Sequence, residues 1–111
     1  MQTISWGDFE KVDIRVGTIV SAEVFAEARK PAYKLQIDFG AMGIRKSSAQ
    51  ITKFYTPEVL LGKQVIAVVN FPSKQIGPFM SECLVMGAVD AEGGVILLSP
   101  SLPCENGLRI A

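Results

Sequence analysis

The chain has 111 residues, of which 49% are hydrophobic and 20% charged, with 11 basic and 11 acidic side chains and no histidine. One domain's worth of core fits that length, and the apolar fraction excludes disorder while leaving surface for a buried subunit contact. Without histidine there is no Ser-His-Asp or Cys-His nucleophile pair and no His-ligated zinc, and the zero net charge gives no overall pull toward nucleic acid.

From the N-terminus, Asp8 is suited to cap a single turn over Phe9-Glu10-Lys11, with Trp6 and Phe9 as apolar surface beside it. Apolar and polar residues alternate from Val12, break at Gly17 and resume to Val24, which predicts one long strand bent at the glycine. Tyr33–Phe39 alternates again with Leu35, Ile37 and Phe39 on one face, and Gly40 to Gly43 loops back into a partner strand over 44–51. Thr56-Pro57-Glu58 reads as a capped helix start and Gly62 as its stop. Val65–Val69 is apolar on both faces and predicts a central strand. Pro72 and Pro78 bracket an irregular connection, 83–89 and 95–98 predict two further strands, and the tail after Pro100 turns into a short extended Leu108-Arg109-Ile110. Five or six strands with a short helix between the third and fourth predict a mainly β, Greek-key barrel of the OB type. It forms a single domain over 1–111 with a core of about 8–98, and 1–7 and 99–111 are expected as extensions in a dimer interface.

Charge is unevenly placed. Residues 29–53 carry six basic groups and one acidic group, whereas 1–28 and 75–111 are each net acidic. Cys83 and Cys104 have no C-x-x-C spacing, so both are expected as reduced, buried thiols, and no metal or cofactor is expected. No catalytic pair can be named, since Glu23, Glu27 and Asp38 have no converging partner and no glycine-rich phosphate loop is present. The absence of a basic, then apolar leader or a long apolar run points to a cytoplasmic protein without membrane insertion.

Four stretches carry a family resemblance: Asp8–Gly17, Ala28-Arg29-Lys30-Pro31-Ala32-Tyr33-Lys34-Leu35, Lys46-Ser47-Ser48-Ala49-Gln50-Ile51-Thr52, and Val68-Val69-Asn70-Phe71-Pro72 continuing to Ser81-Glu82. In this order the chain resembles the tRNA-binding OB-domain superfamily and, within it, the CsaA branch of export-related chaperones. Ser81-Glu82-Cys83-Leu84 stands where the broader pattern reads Ser-Glu-Gly-Met, a departure that favours the chaperone branch. The resemblance implies a homodimer of OB barrels that binds unfolded or precursor polypeptides without ATP, or alternatively tRNA on a basic surface.

The residue types allow both. Lys46, Ser48 and Gln50 share one strand face, a cation, a hydroxyl and an amide in fixed register, suited to phosphate and base contacts. Asn70, Lys74, Ser81 and Glu82 are expected as the other wall of the same groove, and Arg29, Lys30 and Lys34 as a basic loop cluster with Tyr33 as a stacking surface. For polypeptide, Phe71, Pro72, Pro78, Phe79 and Met80 gather large apolar side chains in a loop that one small barrel cannot bury, the alternative being burial at the dimer contact.

Overall fold

A computed structural model describes residues 1–111. In chain order the elements are α1 (Trp6–Glu10), β1 (Ile14–Val24), β2 (Tyr33–Asp38), β3 (Ile44–Ala49), α2 (Pro57–Leu60), β4 (Gln64–Val68), β5 (Lys74–Ile76), β6 (Phe79–Ser81), β7 (Leu84–Val85), β8 (Gly87–Val89) and β9 (Val95–Leu97). Five antiparallel strands in the order β3-β2-β1-β4-β7 curl into a nearly closed barrel, whose two edges meet where Ser47 Oγ donates to the Cys83 carbonyl at 2.9 Å. This is the mainly β, OB-like barrel expected, with the short helix between its third and fourth strands. No helix is long and apolar enough to cross a membrane.

β1 holds the barrel together because it serves two partners. Ile14–Thr18 pairs with β4 and Thr18–Val24 with β2. The irregularity expected at Gly17 falls instead between Ile19 and Ser21, where Val20 is the extra residue of a bulge. Gly17 serves packing instead. A Cβ there would stand 2.5 Å from Ile37 Cγ2 and 2.7 Å from Phe39 Cε1, so its absence lets both side chains fill the barrel directly under the strand.

β4 is apolar on both faces because each face meets a different core. Val65 and Ala67 point into the barrel with Ile19, Leu35, Ile37, Phe39 and Leu60. Ile66 and Val68 join Ile14 and Val16 outside it, under Phe9, Val12, Met86, Cys104 and Ile110. The C-terminal tail covers this second cluster by running along β1. Gly107 N–H donates to the Val16 carbonyl, Val16 N–H to that of Leu108, and Ile110 N–H to that of Ile14. Arg15 fastens it further, donating from Nη1 to the Gly107 carbonyl while its Nε meets Asp13 at 2.6 Å. That hydrogen bond holds the Asp13 carboxyl below its ordinary range. Much of the segment expected as a subunit extension is therefore spent on its own chain.

Three local expectations are corrected. The N-terminal turn is capped by Ser5, and Asp8 is the third residue of a reciprocal capping box. The connection between Pro72 and Pro78 contains order: β5 and β6 form a hairpin with Lys74 opposite Ser81 and Ile76 opposite Phe79. The strand expected over 83–89 is divided at Met86, since β7 pairs with β4 and β8 with β9. Thr56 and Gly62 bound α2 as read, with Thr56 Oγ1 accepting from Val59 N–H.

Candidate binding groove

Alternation along β3 turns Ser47 and Ala49 inward and leaves Lys46, Ser48 and Gln50 outward. Register places Gln36 opposite Lys46 and Lys34 opposite Ser48 on β2, so both lysines rise from one sheet face. The β5–β6 hairpin folds against the outer edge of β3. Ser81 Oγ accepts from Ser48 N–H at 3.1 Å, Glu82 Oε1 accepts from Lys46 N–H at 2.9 Å, and Glu82 N–H donates to the Lys46 carbonyl at 2.8 Å.

Between that hairpin, the end of β3 and the β7–β9 segment lies a groove of about 650 Å³. Ten of its sixteen lining residues are hydrophobic, and Lys74 is the single charged one. Ser48, Gln50, Lys74 and Ser81 line it, as do Phe71 and Pro72, so members of the two expected sets stand in one cavity. Ala49, Ile51, Cys83 and Val85 form its floor; Ile76, Leu84 and Val89 are wall residues that sequence reasoning missed. Ile76 was accessible in principle, because it alternates with Lys74.

The remaining candidates lie elsewhere. Lys34 and Lys46 form a separate cationic surface beside the hairpin tip. Lys34 Nζ is 5.4 Å from the Phe25 ring centroid and 6.0 Å from that of Phe79, and Lys46 Nζ is 5.4 Å from the Phe79 centroid. Phe79 packs edge-on against Phe25 with centroids 5.4 Å apart, so it anchors the hairpin and does not line the groove. Pro78 and Met80 do not line it either; Met80 sits on the hairpin's opposite face. Lys34 also meets Glu23 at 3.4 Å, while Arg29 and Lys30 are exposed on the loop before β2.

Three polar candidates are turned to the chain's own backbone. Asn70 accepts from Asp13 N–H and donates to the Lys11 carbonyl, tying α1 to the end of β4. Glu82 is occupied at the β3 edge as described, so neither a base nor a lysine ammonium is its partner. Tyr33 is buried and donates to the Tyr55 carbonyl at 2.7 Å, which removes it as a stacking surface.

No three His, Cys, Asp or Glu side chains converge as metal ligands. Cys83 is buried in the groove floor, as expected, whereas Cys104, expected buried, is only half-buried at the start of the tail. Burial pushes the Cys83 thiol from an ordinary 9.0 up to about 11. At pH 8 a maleimide should therefore label Cys104 first and Cys83 only after denaturation, as peptide mass mapping would show. Because the unfolded chain gives up its thiol proton first, the Cys83 contribution to stability is present below pH 9 and declines as pH rises toward 11. Cys83→Ala should remove that part of the decline in thermal melts.

A five-stranded OB barrel with an apolar groove and an adjacent cationic face defines a small ligand-binding domain. Residues 14–109 match the family described as "Putative tRNA binding domain". The structure superposes on chaperone CsaA of Bacillus anthracis with a TM-score of 0.95 and 50% identity, covering 99% of this chain and 100% of that one. CsaA chaperone protein of Picrophilus torridus gives 0.92 and 53%, covering 98% and 100%. Methionine--tRNA ligase of Chlorobium chlorochromatii is 38% identical over 107 residues, which are 96% of this chain and 15% of the ligase. The chain belongs to the tRNA-binding domain family, in its CsaA branch.

Proposed function

We propose that this chain is a cytoplasmic, export-related chaperone that binds non-native or precursor polypeptides as a homodimer, without ATP and without catalysis. The observation that carries the reading is the groove itself: about 650 Å³, ten hydrophobic lining residues of sixteen, and one charge. A site of that chemistry favours apolar peptide over a polyanion, and the likeness to two CsaA chaperones along nearly the whole chain supports it. For the homodimer, support comes from the terminal face. There Trp6 is 82% exposed beside a second cavity of about 340 Å³, lined by Trp6, Phe9, Glu10, Arg109, Ile110 and Ala111. A two-fold contact is the commonest way to cover such a face.

The test is suppression of aggregation of a chemically unfolded client at low and high salt. Burial of apolar peptide holds its strength or gains as salt rises, so suppression should persist; its disappearance at high salt would overturn the reading.

A second reading, tRNA binding, is favoured by the cationic face. Lys34 and Lys46 stand on one sheet surface beside two aromatic rings, and outward Ser48 and Gln50 continue that surface toward the groove, where Lys74 adds a third ammonium. Lys34→Ala and Lys46→Ala should each weaken tRNA binding and lower the magnitude of its log–log salt slope by about one. Unchanged slopes in titrations of both variants would place the RNA surface elsewhere.

A further inference from the structure

The main chain along the groove is incompletely paired. Ser48 N–H is taken by Ser81 Oγ and Lys46 N–H by Glu82. One step further along, Gln50 N–H and C=O make no hydrogen bond within the chain, and Gln50 lines the groove. Amides of alternate residues in extended backbone leave on the same side, so the Gln50 pair continues the edge that the hairpin covers at Ser48. The hairpin strand ends its cover there, and the groove opens where the β3 edge becomes free.

Resting on the polypeptide reading above, we infer that the client enters as an added β-strand. Its main chain exchanges a pair of hydrogen bonds with Gln50, and its alternate side chains lie on the apolar floor of Ala49, Ile51 and Val85. Charge supports this occupant over RNA. A nucleic acid brings one negative charge per nucleotide to a groove holding one lysine, whereas an uncharged extended peptide brings the donors and acceptors that the free edge lacks. Recognition through main chain also explains how one groove accepts many sequences, since every peptide carries the same backbone groups.

The probe is a blocked eight-residue peptide alternating leucine and serine, made unmodified, N-methylated at the leucines, and N-methylated at the serines. One methylated set should bind about tenfold more weakly and the other within about twofold, because only one edge of the peptide faces β3. In amide hydrogen exchange, Gln50 should become protected on saturation with the unmodified peptide while Lys46 and Ser48, already bonded, stay unchanged. Equal binding of all three peptides with an unprotected Gln50 would overturn strand addition and leave the polypeptide reading standing. No binding by any of them would remove both. Protection of Gln50 by a ten-nucleotide oligouridylate, and not by peptide, would assign the free edge to RNA and overturn the inference.

Discussion

Removing residues 104–111 should unfold the chain and not merely separate subunits. The segment supplies three main-chain hydrogen bonds along β1, at 3.0 Å for Val16 N–H to Leu108, 2.7 Å for Gly107 N–H to Val16 and 2.8 Å for Ile110 N–H to Ile14. Gln64 reaches the same segment three times, donating to the Cys104 carbonyl and to Asn106 Oδ1 and accepting from Cys104 N–H. With roughly 1 kcal/mol net per bond and the burial that Cys104 and Ile110 give the second core, the loss is about 5 kcal/mol or more. Small domains are stable by only about 5–15 kcal/mol, so far-UV circular dichroism at 25 °C should report a largely unfolded or aggregated product. A narrower variant separates folding from truncation. Gly107→Val places a Cβ 2.6 Å from the Phe39 carbonyl oxygen at a φ of +91°, and should lower the melting temperature with the tail still present. A truncated chain that melts within a few degrees of the full one would show that the tail is dispensable to the fold.

Replacing Phe71 and Leu84 together by serine should abolish most client binding with the fold intact. Both line the groove and both are about half exposed, at 54% and 51%, so neither supports a core. A client that covers the remaining surface gains about 1–1.5 kcal/mol from each, and losing both weakens binding about thirty- to 150-fold. Fluorescence titration with an unfolded client, alongside thermal melts, checks this. Retained affinity in a variant with an unchanged melting temperature would move the client site off the groove. Phe79→Ser is the contrasting variant. Its ring is packed on Phe25 beneath two lysine ammoniums, so it should loosen the hairpin and lower stability before it affects the groove directly.

The same two phenylalanines show where sequence reading stops. Phe71 and Phe79 look alike in the chain, each in a proline-bounded stretch with too many apolar side chains for one core. One lines the groove and the other anchors the hairpin, because Phe79 packs edge-on against Phe25, a residue about fifty positions away. Asn70 and Glu82 have the right chemistry for reading bases, yet backbone groups of Lys11, Asp13 and Lys46 reach them first.

The features legible in the amino-acid order are periodic or local. Alternation specified β1 and β2, with Leu35 and Ile37 on one face of β2; the Gly40–Gly43 loop returned the chain into β3, an apolar run specified β4, Thr56-Pro57 and Gly62 bounded α2, and the basic stretch over 29–53 located the cationic strands. Those features follow from the geometry of one strand or one helical turn, which neighbouring residues dictate. Which element each strand edge meets is set by long-range packing. It paired the hairpin with the β3 edge as far as Ser48, ran the tail along β1, and left Gln50 without a partner beside an apolar floor. A strand's pattern records which side chains are buried, whereas its hydrogen-bonding edges carry no side-chain signal, and it is at those edges that this barrel closes and its groove opens.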